Sequence, residues 1–417
     1  MKNEASEKST KQQIIDAAFS FCDAPRLKVF SLSEVAAKVG ISKPAIYRHF
    51  KNKDALIEAM EECLYDSIAL HLSQIESDRL EKSKVPFARL IDFFAQNPCY
   101  VNYFIAKLSS DCDYEKKAFE ALKERVPTVQ EKENMLAMED GLVYYRNSDL
   151  FCKHVFCGIT IFFLVKILEK LIARGKIEKA PENFADKAVD FMLNGLHEIS
   201  RPGDFLYVQN ISEKRMAELD SICSIGTDYL PKEDRIFTAL AKVIEEHGIN
   251  GITVEKIADQ LNMAKSSLYE YFDNKNQLVK KLIGKEMNLL RTIIVENSAD
   301  AENFGEYIYI LMRTELEYFL MRPSVIPICG WLLMTSDETA EETEGEEVAD
   351  YWIEKMPERI DISGFGYPLK SKMLLGWIGC LPVGLLVQAS KREFDTKKTL
   401  EYLKYLFNFV VNGIGEK

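Results

Sequence analysis

The chain is 417 residues long, enough for two or three domains that each bury a core. With 28% charged and 47% apolar residues, wholesale disorder, a collagen repeat and a small disulfide scaffold are excluded. The net charge of −12 argues, as a sum, against a nucleic-acid binder, so the placement of the lysines decides the matter. Nine cysteines without a C-x-x-C pair suit a reducing cytosol and predict a cytoplasmic protein. The polar start, MKNEASEKSTKQQ, has no apolar signal region and reads as a short arm.

In chain order, Ile14, Ala17, Ala18 and Phe21 recur at helical spacing. Ser31 stands where an N-cap belongs, with Glu34 three residues on. Leu32, Val35, Ala36 and Val39 then form one apolar face, Gly40-Ile41-Ser42 a short turn, and Ala45, Ile46 and Phe50 the inner face of a second helix. Gly40 permits a backbone that other residues resist, and Pro44 suits a first helical turn. The second helix leaves Lys43, Tyr47, Arg48 and His49 facing outward, side chains suited to phosphates and base edges. Lys53 opens another helix, where its ammonium and the backbone N–H groups would share a phosphate.

Pro86, Pro98, Pro127 and Pro181 punctuate further helices. Cys152, His154 and Cys157 lie close in sequence, but on one helix they point to different faces, so packing is the better reading and no metal is expected. Residues 201–230 read as a connector with a helical stripe of Ile211, Arg215, Met216, Leu219 and Ile222. The acidic run at 337–350 reads as a solvated loop or helix face. Residues 373–390 carry no charge and reach the lower limit of a spanning helix. Gly376, Gly379, Pro382 and Gly384 within them, and Lys372 and Lys391 beside them, favour a buried core or interface helix, so no membrane is expected.

The second half repeats the first. At an offset of 222, residues 14–57 align without gaps on 236–279, with nine identities that include Ala36/Ala258, Lys43/Lys265, Tyr47/Tyr269, Phe50/Phe272, Asn52/Asn274 and Lys53/Lys275. Most other pairs keep apolar for apolar or hydroxyl for hydroxyl, as in Ser31/Thr253 and Ile46/Leu268. Asn262 replaces Gly40 at the turn, the next-best residue for a left-handed backbone. Further on, Phe93-Phe94 matches Tyr318-Phe319, and Asn194-Gly195 matches Asn412-Gly413. The chain is therefore one helical unit written twice. We divide it into a first helix-turn-helix domain (1–60), a first helical body (61–200), a connector (201–230), a second helix-turn-helix domain (231–282) and a second body (283–417).

Residues 14–57 resemble the DNA-binding region of the TetR family of bacterial transcription regulators. The resemblance rests on an apolar first helix, S/T-[LV]-x-x-[VI]-A, the turn, and Y-x-x-F-x-N-K-x-x-L, here Tyr47, Phe50, Asn52, Lys53 and Leu56. It recurs as Tyr269, Phe272, Asn274, Lys275 and Leu278. The resemblance implies an all-α fold of two tandem units, each a three-helix DNA-binding head and a helical regulatory body. It also implies dimerisation through two late helices of the body, and a small apolar or amphipathic effector that releases double-stranded operator DNA. Fusion of two copies would let one chain form a pseudo-dimer, with 155–171 and 373–389 as interface helices; further dimerisation is left open.

The heads differ in charge. Residues 31–53 carry +4, whereas 253–275 carry −1, and Glu270 and Tyr271 replace Arg48 and His49. The remaining −15 lies outside these windows. We expect DNA contacts from Ser31, Ser42, Lys43, Pro44, Tyr47, Arg48, His49 and Lys53 in the first head. In the second we expect them from Thr253, Lys265, Ser266, Ser267, Tyr269, Tyr271 and Lys275. An asymmetric operator follows, with the first head contributing more phosphate affinity. The alternative is a second head that has lost DNA binding and serves as scaffold. Tyr103, Phe104, Tyr145 and Phe162, then Trp331, Met334 and Trp377, are candidate pocket residues, with ordinary core as the competing reading. With five histidines and no nucleophile motif, the sequence supports neither catalysis nor a cofactor. The function expected is a ligand-responsive repressor; the alternative is a ligand-independent architectural or protein-interaction role.

Overall fold

A computed structural model of the chain describes residues 9–21, 30–74, 88–110, 114–125, 148–226, 229–232, 234–247, 252–269, 275–326, 350–362, 368–391 and 395–415. Tyr145, Tyr271, Trp331, Met334 and the acidic residues 337–349 lie outside the described residues. The fold is all-α. Among the described residues the strands amount to a two-residue antiparallel pair, Arg359–Ile360 (β1) with Leu369–Lys370 (β2).

By contacts the chain forms two compact units, Met1–Glu76 with Asp92–Leu142, and Ser77–Ile91 with Val143–Lys417. The first contains α1 (Thr10–Phe19), α2 (Leu32–Val39), α3 (Lys43–Tyr47) and α4 (Lys53–Gln74), followed by α5 (Ile91–Gln96), α6 (Pro98–Ser110) and α7 (Tyr114–Arg125). Ile14, Ala18, Val35, Ile46, Leu56, Met60 and Leu64 are fully enclosed and form the core of α1–α4. Below them Phe19 meets Tyr100 and Tyr103 edge-on, at 4.5 and 5.5 Å between ring centres. Arg125 closes α7 onto α4 through Glu62 and, at 2.8 Å, Asp66.

The second unit holds the rest: α8 (Ser148–Ala173), α9 (Phe184–Asn194) and the connector helix α10 (Glu213–Ile222). The second copy follows as α11 (Arg235–His247), α12 (Val254–Leu261), α13 (Lys265–Tyr269), α14 (Lys275–Ser298) and α15 (Phe304–Met321). It ends in α16 (Tyr351–Lys355), α17 (Lys372–Lys391) and α18 (Thr396–Asn412). The connector helix is capped by Ser212 and docks on α15, where Arg215 grips Glu306 with two bonds of 2.8 and 3.1 Å. Asp220 gathers the Tyr309 hydroxyl at 2.7 Å and the Lys404 ammonium at 2.8 Å. Glu286 on α14 receives Arg322 through two bonds of 2.7 Å and the Tyr318 hydroxyl, while the same guanidinium bonds the Pro231 carbonyl. This buried cluster fixes the start of the second copy against its own body.

The late helices of the two copies meet within this unit. α8 packs on α17 and α18, and α9 on α18. Trp377 is wholly enclosed there, its ring centre 5.8 Å from Phe156 and 5.1 Å from Phe191, and its indole N–H donates to Thr160 Oγ1 at 3.1 Å. The repeated Asn-Gly pairs touch each other directly. A Cβ on Gly195 would lie 2.5 Å from the Val410 carbonyl oxygen and 2.7 Å from the Gly413 nitrogen, and a Cβ on Gly413 would overlap the Leu193 carbonyl. Both glycines have positive φ, 57° and 71°. Backbone bonds from Ile414 to Met192 (2.9 Å) and Gly415 to Leu193 (3.0 Å) seal the crossing. The Asn-Gly motif is therefore in contact with its own repeat within one chain.

α17 contains the window Lys372–Ala389, long and apolar enough to cross a membrane by length and composition alone. Its contacts with α8, α15 and α18 make it a core helix of this unit.

Candidate nucleic-acid interface

Both heads build the same turn by the same local chemistry. In the first, the Ser31 hydroxyl accepts from Glu34 N–H (3.2 Å) and Glu34 accepts from Ser31 N–H (2.8 Å), so two orphan donors of α2 are satisfied reciprocally. In the second, Thr253 accepts from Lys256 N–H at 3.3 Å, without the reciprocal bond. Gly40 ends α2 at φ 77° and Asn262 ends α12 at φ 53°, the one positive φ outside glycine among the described residues. Past that point Ile41 N–H bonds the Ala36 carbonyl and Met263 N–H the Ala258 carbonyl, each at 3.0 Å. The chain turns identically in both copies because the αL residue and the closing bond are the same.

The turn sets up α3. Ile46 is fully buried and Phe50 nearly so, which fixes the helix rotation. Ser42 precedes the helix in extended conformation, its side chain making no cap bond, and Pro44 occupies the first turn. Lys43, Pro44, Tyr47, Arg48, His49 and Lys51 are exposed together on the opposite side. No hydrogen bond or ion pair among the described residues holds Lys43, Arg48 or Lys51. Asn52, seen in the sequence only as part of a signature, caps α4 by accepting from Ala55 N–H at 2.8 Å.

Lys53 differs from the expectation of a free phosphate ligand. Its ammonium sits over the Phe30 ring, 5.0 Å from the centre, and burial lowers its pKa. Lys38 lies likewise over Phe21 at 5.2 Å and Lys11 over Phe50 at 5.8 Å. Lys53 therefore has a packing role beside any role toward phosphate.

In the second head Leu268 is buried while Lys265, Ser266 and Tyr269 are exposed and Ser267 is half-covered. Lys265 is ion-paired with Glu255 and stands 5.6 Å over the Tyr269 ring. The pair raises the lysine's pKa and lowers the carboxylate's. This contact, made across ten positions between two helices, has no signal in the local sequence. Lys275 begins α14.

Two stretches, 27–60 and 236–282, match the family described as bacterial regulatory proteins, tetR family. Both heads of the chain are thus similar to TetR-family regulators. The two matching stretches cover the helix-turn-helix elements above and the start of the helix that follows each. The chain is also similar to the nucleoid occlusion factor SlmA of Photobacterium profundum, 32% identical over 69 residues, 16% of this chain and 35% of that protein. SlmA of Photorhabdus laumondii is 37% identical over 70 residues, with the same two shares. An uncharacterized HTH-type transcriptional regulator of Haemophilus influenzae is 25% identical over 93 residues, 22% of this chain and 49% of that one. The chain spans about a third to a half of the length of these curated relatives.

The sequence-predicted pocket residues are dispersed. Tyr103 is buried in the first unit and donates its hydroxyl to Glu61 at 3.0 Å. Phe104 lies between Phe94 and Tyr114, at 6.1 and 5.6 Å. Phe162 is half-covered on α8, and Trp377 is sealed among the late helices. Cys152 and Cys157 are buried on α8, with Cys152 Sγ donating to the Tyr402 carbonyl, and burial pushes both thiols up. A cleft of about 490 Å³ lies between the connector and the end of α18, lined by Gln209, Asn210, Ile211, Met216, Phe407 and Asn408 among others.

Proposed function

We propose that the chain is a cytoplasmic, sequence-specific DNA-binding transcription regulator, a repressor that acts as an intramolecular pseudo-dimer on an asymmetric operator. The observation that carries this reading is the pairing of two homologous heads with late helices that cross at their own repeated Asn-Gly motifs. A helix-turn-helix dimer reads two half-sites related by its two-fold axis, and here both halves come from one chain. In the first head Ser31, Ser42, Lys43, Pro44, Tyr47, Arg48, His49 and Lys53 face the duplex. In the second, Thr253, Lys265, Ser266, Ser267, Tyr269, Tyr271 and Lys275 do so with weaker electrostatic attraction. The bodies bind a small apolar or amphipathic effector that changes affinity for the operator. A footprint on the DNA upstream of the chain's own gene, with and without candidate effectors, tests this reading. Protection of two unequal half-sites, a whole number of helical turns apart, supports it; absence of protection contradicts it.

A second reading is a ligand-independent architectural role, and the relatives named nucleoid occlusion factor favour keeping it. Thermal shifts across a ligand library separate the two, because an effector stabilises by mass action.

A further inference from the structure

We propose that Glu255 is the residue that sets the weaker DNA affinity of the second head, by holding the recognition-helix lysine Lys265 in an ion pair that phosphate has to displace. The inference rests on the DNA-binding reading and names the device behind its asymmetry. Lys43 and Lys265 are equivalent in the repeat, and each begins the short second helix of its turn. Among the differences between the two heads, the one that touches this lysine is Glu255, which is Ser33 in the first head. Ser33 is exposed and Lys43 is unpaired among the described residues, whereas Lys265 is bonded to Glu255 and stacked on Tyr269.

The physics is an exchange of anions. A free lysine that meets a phosphate neutralises it and releases a condensed counterion, the source of salt-dependent affinity. A lysine already neutralised by a carboxylate trades one anion for another, and the abandoned carboxylate then repels the incoming phosphate. The Glu255–Lys265 pair is solvent-exposed, with side chains 54% and 45% accessible, so it yields to DNA at a cost rather than blocking it. Glu255 thus acts as a repulsive element that separates two otherwise equivalent heads.

The test uses the full chain and a duplex enriched by that chain from a random-sequence pool, long enough for two half-sites. Affinity and its salt dependence are compared for the wild type, Glu255→Ser, Glu255→Gln, Lys265→Ala and Glu255→Ser/Lys265→Ala. Both Glu255 variants are expected to bind about threefold more tightly and to steepen the slope of log K against log salt by about 0.9. The gain is expected to vanish in the double variant. Unchanged affinity and slope in both Glu255 variants overturn the inference, as does a gain that persists without Lys265. Lys43→Ala is measured alongside: if it weakens binding while the Glu255 variants are silent, the inference fails and the DNA-binding reading stands. If the pool yields no bound duplex, or Lys43→Ala is silent too, both fail.

Discussion

Lys43 and Lys53 looked alike as phosphate ligands, yet their surroundings assign them different variant effects. Lys43 is exposed without a partner among the described residues, so Lys43→Ala should leave stability within about 0.5 kcal/mol. It should weaken DNA binding across sequences and lower the salt slope by about one unit. Lys53→Ala should do the same to binding and also cost roughly 0.5–1 kcal/mol of stability, through loss of the ammonium–Phe30 contact. Lys53→Met keeps the apolar stem but loses the ammonium, so a melting loss equal to that of Lys53→Ala assigns the stability cost to the ammonium–Phe30 contact rather than to the stem. A third residue-scale prediction concerns Glu315 on α15. Its Oε2 is shut off from solvent without a hydrogen-bond partner among the described residues, and burial holds its carboxyl well above the usual range. The native state therefore keeps a proton that the unfolded chain gives up near about pH 4.3, so stability falls as pH rises from there towards the native pKa. Glu315→Gln should raise the melting temperature by roughly 2–8 °C near pH 8 and much less near pH 5. Parallel curves for the two proteins would show that Glu315 does not ionise in that interval. The caps and αL turns at Ser31, Gly40, Thr253 and Asn262 were readable in the sequence because each depends on neighbours within about one helical turn. The Lys53–Phe30 and Lys265–Glu255 contacts were not, since they depend on which side chains the fold brings together.

At the scale of elements, Gly195 and Gly413, equivalent in the repeat, carry a burden opposite to that of Gly158 in α8 and Gly376 in α17. An added Cβ at Gly158 or Gly376 meets nothing within 4 Å among the described residues beyond its own helix. Gly158→Ala should be neutral or stabilise by up to about 1 kcal/mol through helix propensity. Gly195→Ala places a Cβ against backbone of the opposite copy at positive φ and should cost about 3 kcal/mol or more. Denaturant unfolding of the two variants checks both signs; a mild Gly195→Ala would mean that the crossing relaxes easily. The helix-turn-helix elements were readable because strong apolar periodicity and turn chemistry agree there. Residues 155–171 and 373–389 were recognisable as late apolar helices, now seen as parts of α8 and α17. Their packing on each other, through Trp377 and Thr160, came from fold-level geometry. Candidate pocket aromatics were the least readable: Tyr103 and Trp377 have the same composition signal as a lining residue but are packed shut.

At the scale of the molecule, duplication is what the sequence displayed best, because two related copies can be slid over each other without any knowledge of contacts. The structure adds that the repeat and the compact units do not share boundaries. The late helices of the first copy, α8 and α9, fold into the second unit with the whole second copy. The acidic excess lies outside the head windows, so the first head window is basic within an acidic chain. In the proposed pseudo-dimer, the two-fold partner of each copy is the other copy in the same chain. Light scattering of the full chain with a duplex carrying one enriched operator measures this directly. One chain of 47.8 kDa per duplex is expected; a complex holding two chains, with no one-chain complex at any ratio, would contradict the pseudo-dimer.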